Sequence, residues 1–114
     1  MFSKKTELKI NEAVVLELIN AIKLHGAEYN SLHEGYAVLL EEVEEIEQEL
    51  DYIKNHLVMM WNAVKIDNSN EVKSNARIIA LDAVELAKEA CQVAAVSRKI
   101  LGENYIENKE DRHI

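Results

Sequence analysis

The glutamates between residues 33 and 50 have a type and spacing that could hold a metal ion. This stretch reads HEGYAVLLEEVEEIEQEL. At about 100° per residue on a helix, Glu42, Glu45 and Glu49 fall within a sector of about 60°. Carboxylates that converge repel one another strongly unless a proton or a cation neutralises them. A hard divalent ion that prefers oxygen ligands, such as Mg²⁺, suits a cluster of this kind.

The same spacing also has a simpler interpretation. Glutamates three and four residues apart are typical of the solvated face of a long acidic helix, and spacing alone favours that interpretation. The metal-site hypothesis therefore depends on which side chains a second helix brings to the same place.

A second group of polar side chains lies on one side of the third predicted helix. Its members are Asp82, Glu85, Glu89 and Gln92. The second and third helices are predicted to pair antiparallel about a turn centred between residues 68 and 69. In that register the numbers of two residues that face each other across the hairpin sum to about 137. This register places Gln92 opposite Glu45, with Glu89 close by. The residues predicted to converge are Glu42, Glu45, Glu89 and Gln92.

Three helices should account for most of the chain. The sequence has no proline and only three glycines, so little interrupts a helix. The second helix is predicted to begin near Leu32, because Ser31 can cap the amide of Glu34 while the Glu34 side chain reaches back. The other predicted bounds are about 8–25 for the first helix, a turn at 67–70, and about 71–101 for the third helix.

Apolar stripes on the second and third helices predict how these helices pair. On the second helix the apolar residues alternate three and four apart, as in a coiled-coil seam. They are Tyr36, Leu39, Val43, Ile46, Leu50, Ile53, Leu57, Met60 and Val64. On the third helix the predicted buried stripe is mostly small, which suits a close antiparallel hairpin. It comprises Ala76, Ile79, Ala80, Ala83, Leu86, Ala87, Ala90, Val93 and Ala94.

These patterns predict an all-α fold, a helical bundle built on a long antiparallel helix hairpin plus a shorter N-terminal helix. Helices of about 30 residues are ~45 Å long, whereas a compact domain of this size has a radius of gyration of about 13 Å. We therefore expect a homodimer or higher homo-oligomer, in which a second copy completes the bundle. Met59, Met60 and Trp61 are predicted to lie in the core or at this subunit interface. A single domain is expected across 1–114, with 103–114 a polar, frayed tail.

The composition argues against several classes of partner. A formal net charge of −8 opposes binding to a nucleic-acid backbone. The single cysteine, Cys91, excludes an internal disulfide, and the opening MFSKKTELKI is too polar for a signal peptide. No apolar run approaches the roughly 20 residues that cross a bilayer. We expect a cytoplasmic protein that binds neither nucleic acid nor membrane.

Two motifs resemble the phage and bacterial branch of the MazG-like family, which are all-α nucleoside triphosphate pyrophosphohydrolases. The first motif, residues 33–45, reads HEGYAVLLEEVEE, and its E-E-x-x-E core is Glu41, Glu42 and Glu45. The second, residues 88–99, reads KEACQVAAVSRK and resembles the family's helix with an E-x-x-D motif. Together the motifs cover about a quarter of the chain.

The resemblance implies cleavage of a nucleoside triphosphate between its α- and β-phosphates, with Mg²⁺ or alternatively Mn²⁺ as the cofactor. The products would be a monophosphate and pyrophosphate, in a house-cleaning or nucleotide-pool role. Glu42, Glu45 and Glu89 correspond to metal ligands, and Glu45 would also orient the attacking water. Gln92 stands where the family usually has aspartate, and its amide oxygen can coordinate a metal but brings no charge. The alternative is a catalytically weakened nucleotide-binding or helical interaction protein.

Further charged residues complete the predicted site. The additional acidic candidates are Glu41, Glu49 and Glu85. Substrate phosphates need cationic partners, and the candidates are Lys54, Lys88 and Arg98. Each of these three residues is more often an ordinary surface charge.

Overall fold

The computed structural model describes residues 2–103, and every regular element in that range is an α-helix. α1 spans Lys4–His25, α2 spans Leu32–Lys65 and α3 spans Ser69–Ile100. The predicted all-α class is confirmed, and each predicted helix end agrees to within about one turn. None of these helices combines the length and the apolar composition needed to cross a membrane. The predicted tail lies outside the described residues, apart from Glu103.

Side chains cap the start of α2 and of α3, which explains why both helices begin where they do. Ser31 Oγ accepts a hydrogen bond from the Glu34 amide at 3.1 Å, as the capping box predicts. The Glu34 carboxylate reaches back one residue further than expected and accepts from the backbone and side-chain nitrogens of Asn30. At α3, Asn68 Oδ1 accepts from the Glu71 amide at 3.2 Å.

The chain divides into two compact units. The described part of the first, here called the three-helix unit, comprises residues 2–42 and 90–103 and contains α1, the start of α2 and the end of α3. The second, here called the hairpin unit, comprises Val43–Glu89 and contains the rest of α2, the turn and the start of α3. The expectation of one domain for the whole chain stays a prediction.

The core of the three-helix unit is built on one face of α1. Val14, Leu18 and Ile22 recur every fourth residue and are buried, with Leu18 fully inaccessible to solvent. Ala95 and Val96 of α3 are buried in the same unit, and Leu18, Ile22 and Ala95 form one cluster. α1 is therefore held by apolar packing.

The inward face of α2 in the hairpin unit differs in part from the predicted seam. Ile46, Ile53 and Met60 are half-buried as expected. Three other predicted members of the seam are exposed, namely Leu50, Leu57 and Val64. The residues one position earlier are half-buried or buried in their place, namely Glu49, His56 and Ala63. The observed inward face is therefore more polar than the predicted one.

On α3 the predicted buried stripe is confirmed in part, because its members Ile79, Leu86, Val93 and Ala94 are half-buried. The alanines of the stripe from Ala76 to Ala90 are exposed. The side chains outside the predicted stripe that are buried or half-buried in this part of α3 are Val72, Ser74, Asn75, Ile78, Asp82 and Glu89. Periodicity identifies the faces of a helix, but it does not say which face meets the neighbouring helix of the same chain.

A polar pair fixes the register inside the hairpin unit. His56 Nδ1 and Asn75 Oδ1 are 3.1 Å apart, and Asn75 Nδ2 donates to the Glu71 carbonyl at 2.9 Å. The predicted register would have placed His56 opposite Leu81, so this part of the prediction is wrong. The turn between α2 and α3 is centred nearer to residue 67 than predicted, because α2 ends at Lys65.

Candidate functional site

Three of the predicted site glutamates place their carboxylates together. Glu42, Glu45 and Glu89 each offer one carboxylate oxygen, and these atoms lie within 4.8 Å of one another. Glu42 and Glu45 are one turn apart on the continuous helix α2, whereas Glu89 lies on α3. Glu42 and Glu89 are half-buried, and the Oε2 atom of Glu42 is buried. We refer to these three residues as the glutamate cluster.

The oxygens of the glutamate cluster are spaced only slightly more widely than the ligands of a small divalent ion would be. An octahedral Mg²⁺ holds its oxygens at about 2.1 Å, so neighbouring ligands are about 3.0 Å apart and opposite ligands about 4.2 Å apart. A separation of at most 4.8 Å needs only small side-chain adjustments to reach these values. The donors therefore suit Mg²⁺ or Mn²⁺, although acidic groups of this kind also occur without an ion.

Gln92 forms a hydrogen bond with Glu17, a residue that the sequence analysis did not predict to lie near the site. Its Nε2 atom donates a hydrogen bond to Oε2 of Glu17 at 2.6 Å, which connects α3 to α1 within the three-helix unit. The predicted neighbour of Gln92 was Glu45. Glu17 belongs to neither motif, and the one available signal was an acidic residue directly before the apolar Leu18. The role of Gln92 as a metal ligand stays a prediction.

The remaining predicted acidic residues lie outside the glutamate cluster. Within residues 2–103, the carboxylates that gather closely enough to hold an ion include none of Glu41, Glu49 and Glu85. Glu41 is exposed and Glu49 is half-buried. Glu85 accepts from Lys88 Nζ at 2.9 Å, one turn along the exposed face of α3.

The predicted phosphate-binding cations are surface residues or already have a partner. Lys54 is exposed. Lys88 pairs with Glu85, and Arg98 Nη2 lies 3.0 Å from Glu103 Oε1. Their roles toward a substrate stay predictions.

A polar cavity lies within the three-helix unit. Its volume is about 320 Å³, within the range of small-ligand sites. The polar side chains that line it are Glu17, Asn20, His25, Tyr29, Glu34, Glu42, Gln92 and Lys99. The cavity therefore shares Glu42 with the glutamate cluster and contains both signs of charge.

Lys99 is the second functional candidate that sequence reasoning missed. Only 2% of its surface is exposed, and its Nζ atom lies 4.0 Å from the centroid of the Tyr29 ring. Burial lowers the pKa of the Lys99 ammonium below its usual value, and the nearby Glu34 carboxylate partly opposes this. Burial also raises the pKa of the Tyr29 hydroxyl, and Glu34 and Glu42 raise it further.

A signal for Lys99 was present in the second motif. Lys99 follows Ala95 and Val96 by four and three residues, so it lies on the same helix face as two buried apolar residues. A lysine at such a position is unusual, because lysine is rarely buried without a partner.

Close packing near Lys99 explains a glycine of the first motif. Gly35 is buried, and a Cβ atom at this position would lie 3.2 Å from Cγ1 of Ile100 and 3.3 Å from Cδ2 of Tyr29. These distances are tighter than most Cβ contacts. Glycine therefore allows the start of α2 to approach the end of α3 beside the Lys99–Tyr29 pair.

Comparison of the chain with protein-family models, with curated proteins and with solved structures finds no match. The MazG-like resemblance therefore rests on the two motifs.

Proposed function

We propose that the chain is a Mg²⁺-dependent nucleoside triphosphate pyrophosphohydrolase that serves nucleotide house-cleaning or nucleotide-pool control. The observation that carries this proposal is the glutamate cluster, in which three carboxylate oxygens lie within 4.8 Å. Lys99, which lines the polar cavity together with Glu42, adds support, because a triphosphate substrate needs positive partners. Mn²⁺ could replace Mg²⁺ because both prefer oxygen ligands.

In the proposed reaction the chain positions an ion, a water and the substrate. Glu42, Glu45 and Glu89 would hold Mg²⁺, which when bound offsets the charge of phosphate oxygens and acidifies a coordinated water. Glu45 would orient the attacking water and accept its proton. The water oxygen forms a bond to the α-phosphorus while the bond to the oxygen bridging the α- and β-phosphates breaks. Pyrophosphate leaves with that bonding pair.

A panel of ribo- and deoxyribonucleoside triphosphates with Mg²⁺ tests the proposal directly. Release of pyrophosphate and of orthophosphate should be measured separately. We expect pyrophosphate from at least one triphosphate, and Glu45→Gln should lower kcat by about 100-fold or more, because it removes a ligand charge and the base. The matched control is Glu44→Gln, at an exposed position of the same helix, which should keep wild-type activity.

The products distinguish the competing outcomes. Orthophosphate as the first product would mean cleavage at the terminal phosphate, which contradicts the proposed bond. Equal loss of activity in Glu44→Gln and Glu45→Gln would contradict the assignment of the glutamate cluster. The absence of turnover across the whole panel would reject the enzyme proposal.

A second candidate function is a nucleotide-binding or helical interaction protein with weakened catalysis. The observation that favours it is the hydrogen bond from Gln92 to Glu17, because Gln92 stands where the MazG-like pattern has an aspartate. A nucleotide that raises the melting temperature without being hydrolysed would support this candidate.

The proposed enzyme would be a homodimer or a higher homo-oligomer. Support comes from the hairpin unit, where large apolar side chains remain exposed in the single chain. Leu57 is 56% exposed, Trp61 59% and Leu81 65%. Exposed apolar surface of this kind on a long hairpin is suited to covering by a second copy.

A further inference from the structure

Lys99 is a buried cation to which the proposed metal site assigns no role. It lies near the end of α3 in the three-helix unit, with 2% of its surface exposed. The ion pairs among residues 2–103 join Lys88 to Glu85 and Arg98 to Glu103, so neither of them involves Lys99. Its Nζ atom lies 4.0 Å from the centroid of the Tyr29 ring, and the nearby carboxylate that acts on its charge is that of Glu34.

The environment of Lys99 is poorly suited to a purely structural lysine. Burying an ammonium without a directly paired carboxylate is unfavourable, and the lowered pKa of Lys99 reflects that desolvation, which the nearby Glu34 carboxylate opposes only in part. The cation–π contact with Tyr29 stabilises the buried ammonium by only about 0.5 to 2 kcal/mol. Leucine or methionine would fill the same helix face, beside Ala95 and Val96, without this penalty. The position therefore fits a cation whose anionic partner arrives with a ligand.

The polar cavity indicates which ligand chemistry would fit. Lys99 lines it together with three carboxylates, those of Glu17, Glu34 and Glu42. A simple organic anion would meet more repulsion than attraction there. A polyphosphate that carries a divalent ion resolves the conflict, because its metal-bound oxygens can face the carboxylates while another phosphate group faces the lysine.

We propose that the Lys99 ammonium binds a phosphate group of a polyphosphate chain in this cavity, with Tyr29 holding the lysine side chain in place. The assignment deepens the proposed function and rests on it for the identity of the ligand as a nucleoside triphosphate. Lysine suits this role because its ammonium acts as a point charge toward phosphate oxygens. Lys99 thereby replaces Lys54, Lys88 and Arg98 as the principal phosphate contact.

Titration calorimetry with inorganic tripolyphosphate and Mg²⁺ tests the contact without any nucleoside. Lys99→Met keeps the length of the side chain and removes its charge, and it should raise Kd by about 10-fold or more. Lys99→Arg should bind more tightly than Lys99→Met because it keeps the charge. The matched control is Lys73→Met, at an exposed position of the same helix, and its Kd should stay within about two-fold of wild type. Equal Kd values for wild type and Lys99→Met would overturn the assignment.

A measurement on the unsubstituted protein keeps the test decisive if Lys99→Met fails to fold. The ¹⁵N resonance of Lys99 Nζ can be followed by nuclear magnetic resonance during titration with tripolyphosphate and Mg²⁺. We expect a saturable shift for Lys99 and no comparable shift for the exposed Lys73. A Lys99 resonance that stays unchanged while tripolyphosphate binds would overturn the proposal.

The outcomes also separate this inference from the proposed function. If tripolyphosphate binding depends on Lys99 but no triphosphate yields pyrophosphate, the phosphate contact stands and the enzyme proposal fails. If pyrophosphate is released and Lys99→Met leaves both kcat and KM unchanged, the enzyme proposal stands and the phosphate contact fails.

Discussion

The three-helix unit and the hairpin unit bury their side chains to different degrees. In the three-helix unit, α1 contributes three buried apolar residues, among them the fully buried Leu18. Of the residues Val43–Glu89, those classed as buried are Ala63 and Asn75, one small and one polar. Where three helices pack together, each helix can bury surface against two others. In a pair of helices, each helix leaves its outer face exposed to solvent. We therefore expect the stability of the single chain to reside mainly in the three-helix unit.

Leu18→Ala should produce the largest effect, because it removes the most deeply buried apolar side chain. We expect the free energy of unfolding to fall by about 3 to 5 kcal/mol. Urea denaturation followed by circular dichroism measures this loss. The matched control is Leu16→Ala on the same helix, where the side chain is 65% exposed, and its loss should stay below about 1 kcal/mol. Similar losses in both variants would contradict the core assigned here.

Leu57→Asp tests whether a second copy covers the hairpin unit. Leu57 is 56% exposed in the single chain, so an aspartate there should leave the isolated chain folded. At an interface between copies the aspartate would be a buried charge. We therefore expect the dissociation constant of the homo-oligomer to rise by about 10- to 100-fold. Analytical ultracentrifugation over a concentration series measures the change. A wild-type chain that is monomeric at all concentrations would contradict the homo-oligomer.

The position of Leu16 again offers a matched control for the hairpin substitution. Leu16→Asp introduces the same charge on α1, at a similarly exposed position of the three-helix unit. We expect it to leave the association state unchanged. If Leu16→Asp dissociates the oligomer and Leu57→Asp does not, the contact between copies lies on the three-helix unit.

Gln92→Asp should have an intermediate effect that depends on metal. The substitution removes the hydrogen-bond donor to Glu17 and places a second carboxylate beside it. The free energy of unfolding in metal-free buffer should therefore fall by about 1 to 3 kcal/mol. Added Mg²⁺ should reduce that loss if residue 92 lies within reach of a bound ion. The melting temperature with chelator and with millimolar Mg²⁺ measures both effects, and Gln48→Asp, at an exposed position, serves as control. A loss that Mg²⁺ leaves unchanged would separate Gln92 from the metal site.

Ser31→Ala should produce the smallest effect of the series. It removes the side-chain acceptor of the Glu34 amide, and the loss of such a cap costs about 1 kcal/mol. Asn68→Ala removes the equivalent cap of α3 in the hairpin unit and should cost about the same. Thermal unfolding of the two variants side by side measures the difference. A much larger loss for Asn68→Ala would mean that the hairpin unit contributes more stability than its burial indicates.

The sequence by itself determined the local features of this protein. The scarcity of helix-breaking residues and the capping residues Ser31 and Asn68 set the number of helices and their ends. Helical periodicity also placed Glu42 and Glu45 one turn apart on the same side of α2. These features depend on residues within a few positions of one another, so they can be read along the chain.

Only the tertiary structure decided how the helices are rotated and aligned within each unit. It paired His56 with Asn75, joined Gln92 to Glu17, and buried Lys99 against Tyr29. The predicted seam failed at Leu50, because a helix with several apolar faces does not specify which one turns toward its neighbour in the same chain. Rotation and register depend on the packing of all helices at once, and a change in turn length moves every facing pair. Contacts between distant parts of the chain therefore required the folded structure.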